Sequence, residues 1–144
     1  MRKRTQAREF ALIILYQKEV TRFEIQTVVD NFLQQEEKVD PEVRTFMERL
    51  VFGIHLNLEK IDEKISLYAT NWQLKRMAVI DRNILRLGLY ELLFADDIPP
   101  KVTINEAVEL AKKYGDVESS KFVNGILDKI HKTEILMKKS GNDA

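Results

Sequence analysis

The chain has 144 residues, the size of one compact domain, with 44% hydrophobic residues, five glycines, three prolines and no cysteine. These figures exclude a disordered chain, disfavour a turn-rich all-β fold, and rule out disulfides, thiolate metal sites and cysteine nucleophiles. The 23 basic and 23 acidic residues cancel, which taken alone counts against a nucleic-acid ligand.

The N-terminus departs from that balance. Arg2, Lys3, Arg4 and Arg8 are the four cations of the first eight residues, which hold no acid. Residues 1–22 carry a net +4, residues 23–72 a net −5 and residues 73–144 a net +1. Phosphate attraction follows local potential rather than the total, so a basic arm stands beside the plainer reading of a solvated, frayed terminus. Thr5 is predicted to cap a first helix with Glu9 in its opening turn. From Phe10 to Tyr16 the helix is apolar on every side, which predicts a central element packed round by others. That run is too short for a membrane span, and Gln17, Lys18 and Glu19 follow it without a small-residue cleavage site. The expectation is a soluble cytoplasmic protein.

A second helix is predicted over Phe23–Glu37, with Ile25, Val28, Val29, Phe32 and Leu33 on one stripe. Asp40-Pro41 reads as an N-cap followed by proline at the first helical position. Val43, Phe46, Met47, Leu50, Val51, Ile54 and Leu58 continue at helical spacing, then Ile61, Ile65 and Tyr68. Asn57 can cap a new helix there, so one kinked helix and two helices both remain open. The pattern pauses around Thr70-Asn71-Trp72 and resumes from Leu74 to about Phe94. In its second half, Arg86 and Glu91 lie inside an apolar run and need partners, expected to be charged residues across the bundle. Ile98-Pro99-Pro100-Lys101 is predicted as a loop, and Thr103 with Glu106 as a capping box. Ile104, Ala107, Val108 and Ala111 would face inward, with Gly115 closing the helix. A last helix beginning near Asp116–Ser119 would bury Phe122, Val123, Ile126, Leu127 and Ile130, with Gly125 serving close packing. The pattern fades near Lys132. The prediction is an all-α single domain of six or seven helices.

Nothing in this pattern builds a catalytic centre. His55 and His131 are the only histidines and neither has a second at i+3 or i+4. There is no Gly-x-Ser-x-Gly elbow, no phosphate loop and no G-x-G-x-x-G. The acid pairs Glu36/Glu37 and Asp96/Asp97 are sequence neighbours of the kind usually solvated. No catalytic residue, metal site or cofactor is expected.

Several linked motifs carry a resemblance. They are Arg8-Glu9 with the apolar helix ending Leu15-Tyr16, then Ile80-Asp81-Arg82-Asn83-Ile84-Leu85-Arg86-Leu87 leading to Tyr90-Glu91-Leu92. Asp97-Ile98-Pro99, Ile104-Asn105-Glu106-Ala107, Leu110-Ala111-Lys112 and Lys121-Phe122-Val123-Asn124-Gly125-Ile126-Leu127-Asp128 follow in order. Over about residues 5–132 the chain resembles the NusB family of bacterial transcription antitermination factors. The resemblance implies two packed three-helix bundles, with residues 1–132 as an RNA-binding domain and 133–144 as a flexible tail. It implies binding of boxA, a single-stranded sequence in nascent ribosomal RNA leaders, as a heterodimer with NusE, the small-subunit ribosomal protein. It further implies action with RNA polymerase and other Nus factors to sustain rRNA transcription and maturation. In some members the free protein self-associates through its RNA-binding face, so the homodimer is left open.

Carried onto this sequence, the RNA-binding residues are Arg2, Lys3, Arg4, Arg8 and Tyr16, with Glu118, Ser119, Lys121 and Phe122 at the start of the last helix. The free N–H groups of that helix would favour an anion. Phe122 divides between stacking on an unpaired base and core packing, and Tyr16 divides likewise. Leu74, Lys75, Met77 and Asp81 are the expected NusE face, although Leu74 and Met77 at i, i+3 are more often core than interface. Two other readings are weighed. An rRNA cytosine methyltransferase with a NusB-like N-terminal part needs a Rossmann-like domain that the 144 residues do not contain. A helical scaffold without RNA binding is disfavoured by the basic arm.

Overall fold

The computed structural model describes residues 2–70 and 73–137, which form helices and, among the described residues, no strand. Two compact units divide the chain, Met1–Leu58 and Glu59–Ala144. They match the two expected bundles.

In the first unit α1 spans Lys3–Thr21, α2 Ile25–Gln35 and α3 Pro41–Leu56. The first helix starts two residues before Thr5, with Arg2 in extended conformation as its N-cap and no side-chain cap. Glu9 therefore lies beyond the opening turn. As its apolar circumference predicts, α1 packs on both α2 and α3. Ala7, Ala11 and Ile14 are fully buried, and Phe10 meets Phe32 edge-on with centroids 5.0 Å apart. Asp40 caps α3, its Oδ1 accepting from the Glu42 N–H at 2.8 Å, with Pro41 at the first helical position. Such a cap is worth about 1 kcal/mol. The helix stops at Asn57, whose Nδ2 donates to the Gly53 carbonyl at 2.8 Å. Asn57 ends α3 and α4 begins at the next residue, so the chain forms two helices, one of the two arrangements left open.

In the second unit α4 spans Leu58–Tyr68, α5 Val79–Phe94, α6 Pro100–Tyr114 and α7 Val117–Ile130. The long helix expected from Leu74 is a 3₁₀ turn over Leu74–Arg76 followed, after a break, by α5. Helices α5, α6 and α7 pack mutually as a three-helix bundle. Asn83 to Leu92 of α5 are all buried. Arg86 finds the charged partner its burial demands. Its Nε and Nη2 donate to Asp62 of α4 at 2.8 and 2.9 Å, and Nη1 donates to Asn83 at 3.0 Å. Glu91 accepts from the Thr103 hydroxyl at 2.8 Å.

That bond overturns the capping box. α6 begins at Pro100, with Pro99 as N-cap, so Thr103 sits inside the helix and the expected loop is one turn shorter. The close approach expected of Gly125 belongs to Gly88, where a Cβ would lie 2.6 Å from Leu127 Cδ1, whereas nothing lies within 4 Å of one at Gly125. Helical structure continues through a π-helical turn over His131–Leu136. Glu134 there pairs with Lys64 of α4 at 2.5 Å, which holds the Lys64 ammonium above its usual pKa. Of the expected tail, 138–144 fall outside the described residues. Among the described residues no helix is long and apolar enough to cross a membrane.

Candidate nucleic-acid interface

Two surfaces, one in each unit, carry the expected residues. In the first unit the opening turn of α1 holds cations and no acid. A helix N-terminus carries a partial positive charge, so Lys3 and Arg4 there oppose helix formation by a few tenths of a kcal/mol each. The same arrangement adds the helix dipole to their charges and makes the turn attractive to an anion. Arg2, Lys3 and Arg4 are exposed. Lys3 pairs with Glu42 at 3.3 Å and Asp40 at 3.5 Å, and the bond to Glu42 raises its pKa. Arg8 differs: it is 3% exposed and lies against the Phe46 ring, its guanidinium carbon 5.3 Å from the centroid. Three of the four expected cations are presented to solvent; the fourth is built into the fold. Tyr16 is exposed on the same helix.

In the second unit the start of α7 is sealed by its own residues. Asp116 accepts from the Ser119 N–H at 2.8 Å and from its hydroxyl at 3.2 Å. These bonds hold the Asp116 carboxyl below its usual pKa. The Ser119 N–H, one of those expected to receive an anion, is therefore engaged by a resident carboxylate, and Ser119 is buried. Glu118 and Lys121 are exposed and 3.8 Å apart. Phe122 is half-buried rather than part of the core.

A cavity of about 570 Å³ opens beside Phe122, lined by Glu118, Ser119 and Lys121 of α7 and by Arg76, Met77 and Asp81 ahead of and within α5. The fold thus brings the α7 set and half of the expected partner face around one hollow. Asp81, which borders the cavity, has its Oδ1 buried without a hydrogen-bond partner. Met77 is buried and Leu74 half-buried. Leu74 and the exposed Lys75 line a separate cavity of about 860 Å³ with Ser66 and Gln73. Sequence reasoning missed Arg76, which borders both cavities, and Arg49, which faces Phe46. A cation beside the partner-face residues was the available signal for Arg76; Arg49 had none. Among the described residues no cluster of His, Cys, Asp and Glu is placed to hold a metal ion.

Among the described residues, fold and surface together define an all-helical protein with a cationic first helix terminus. The NusB family model matches residues 5–132. The antitermination protein NusB of Bdellovibrio bacteriovorus is 49% identical over 131 residues, covering 90% of this chain and 95% of that protein. NusB of Pseudothermotoga lettingae is 45% identical, over 92% of this chain and 94% of its own. The solved structure of T. maritima NusB superposes with a TM-score of 0.84 at 44% identity, covering 90% of this chain and 91% of that one. A crystal structure of antitermination factors NusB and NusE with double-stranded RNA gives a TM-score of 0.84 at 30% identity, over 92% and 98% of the two chains. The chain belongs to the NusB family of transcription antitermination proteins, regulatory factors rather than enzymes.

Proposed function

We propose that this protein binds the boxA sequence of nascent ribosomal RNA together with NusE, and so sustains processive rRNA transcription and maturation. The observation that carries this reading is the acid-free first turn of α1, where Arg2, Lys3 and Arg4 add to the helix dipole. Tyr16 and the α7 residues Glu118, Ser119, Lys121 and Phe122 supply the remaining RNA contacts. Phe122 stacks on an unpaired base, and Ser119 acts through the cap that orients the helix start. Leu74, Lys75, Met77 and Asp81 form the NusE face. The pair works in the cytoplasm at RNA polymerase with other Nus factors, and residues 1–132 are the RNA-binding domain. The complex of NusB and NusE with RNA among its structural relatives supports the partner assignment.

The test is a gel-shift titration with single-stranded boxA RNA and its duplex, with and without NusE, from 50 to 200 mM salt. NusE should tighten binding, and the single strand should be preferred. Arg2→Ala, Lys3→Ala and Arg4→Ala combined, with the buried Arg8 retained, should reduce the slope of log affinity against log salt by about 2. An unchanged slope would reject the basic-arm mechanism. Binding to NusE without measurable RNA affinity would favour the helical scaffold.

A further inference from the structure

Three residues of the expected partner face, Leu74, Lys75 and Met77, lie in or next to the 3₁₀ turn over Leu74–Arg76. Its backbone bonds run from the Arg76 N–H to the Gln73 carbonyl at 2.9 Å and from the Met77 N–H to the Leu74 carbonyl at 3.2 Å. A 3₁₀ turn this short has poorer bond geometry than an α-helix. We propose that Arg82 of α5 is the positioning residue of this face and holds the turn in the shape that NusE binds; the assignment rests on the partner reading above.

The Arg82 Nη1 donates to the Met77 carbonyl at 3.0 Å and reaches the Leu74 and Lys75 carbonyls at 3.5 Å. One nitrogen of a fixed, planar guanidinium thus gathers three carbonyls of the turn, Met77 most closely. Bonds of this kind are charge-assisted and stronger than neutral ones. They orient the peptide planes that follow Leu74, Lys75 and Met77, and with them the side chains that the turn presents. The anchor itself is firm, because α5 is buried from Asn83 to Leu92. Arg82 is the fourth residue of that helix, close to the positive end of its dipole, a place that suits the neighbouring Asp81 and not a cation. Helix stability therefore does not account for a cation at this position, and the carbonyls of the turn do.

The turn also borders two hollows of the second unit. Leu74, Lys75 and Arg76 line the cavity of about 860 Å³, and Arg76 and Met77 line that of about 570 Å³. Both walls depend on one short stretch of chain, so fixing it shapes both hollows at once. A partner that meets a preset surface loses less freedom on binding than one that must order it.

The experiment compares wild type, Arg82→Gln, Arg82→Lys, Lys75→Glu and Lys112→Gln for NusE affinity, boxA RNA affinity without NusE, and unfolding midpoint. For the Arg82 variants the rate of tryptic cleavage after Lys75 and Arg76 is followed as well. Arg82→Gln should bind NusE about tenfold more weakly, the effect of losing one charge-assisted bond. Its boxA affinity should stay unchanged, and cleavage at the loosened turn should quicken. Arg82→Lys, which keeps a donor for the Met77 carbonyl, should fall between Arg82→Gln and wild type in both. Lys112 is exposed on α6 and pairs with Glu109 at 3.4 Å, so Lys112→Gln should change neither affinity. Wild-type NusE affinity in Arg82→Gln would overturn the positioning role. So would loss of NusE and RNA binding in step with the unfolding midpoint, or an equal loss in Lys112→Gln. Should Arg82→Gln fail to fold, Arg82→Lys decides alone, and wild-type NusE affinity there overturns the role. Lys75→Glu tests the face itself. A loss there beside an unaffected Arg82→Gln protein leaves the partner reading standing without Arg82, whereas wild-type NusE affinity in Lys75→Glu rejects the face and the positioning role with it.

Discussion

Single residues here owe their roles to partners distant in sequence. Thr103 reads locally as the first residue of a capping box, but its hydroxyl serves Glu91, twelve positions earlier on α5. Both residues are 2% exposed, so losing the hydroxyl removes a buried donor from a buried carboxylate. Thr103→Val, which keeps the shape, should lower unfolding free energy by about 2 kcal/mol in a denaturant titration. Thr103→Ser should retain most of the stability, and equal stability of the two variants would show that the bond to Glu91 contributes nothing. Arg86 was legible as a residue needing a partner, because a long cationic side chain in an apolar run cannot remain unpaired. That the partner is Asp62 was not legible, since the pair depends on how α4 lies along α5.

At the scale of elements, features set by neighbouring residues were read correctly and features set by packing were not. The Asp40-Pro41 start of α3 needs only the chain's own geometry and appears as predicted. Glycine spacing carries no such information. Gly88 looked unexceptional within α5, yet a Cβ there would press into Leu127 of α7 at 2.6 Å. Gly125 looked like a packing residue and faces open space. Gly88→Ala should therefore destabilise by about 1–2 kcal/mol, the overpacking cost exceeding the gain in helix propensity. Gly125→Ala should stabilise by about 0.5–1 kcal/mol, because it restricts the unfolded chain and fills open space on the surface of α7. Thermal unfolding of the two variants decides this, and shifts of the same sign would contradict the packing at Gly88.

Over the whole molecule, a net charge of zero conceals an ordered distribution, and the two units share one electrostatic device. Asp40 starts a helix in the first unit and Asp116 starts one in the second, each carboxylate accepting backbone N–H bonds that lower its pKa. A carboxyl whose folded pKa lies below its unfolded value stabilises the fold above the unfolded pKa, and this contribution is lost as pH falls through the folded pKa. Helicity should thus begin to fall below about pH 4. In Asp40→Asn/Asp116→Asn, which keeps capping oxygens without charge, circular dichroism should show a shallower acid limb; an unchanged limb would place the acid sensitivity elsewhere. The sequence by itself determined the all-helical class, the inward faces of most helices and the cationic start of α1, because these rest on local periodicity and on charges adjacent along the chain. Only the tertiary structure decided that Arg8 is buried, that Arg49 joins Arg4 at Phe46, and that Asp81 shares a cavity with Phe122. Those facts follow from helices meeting across long stretches of chain, where side-chain direction and burial are set by packing that no local pattern encodes.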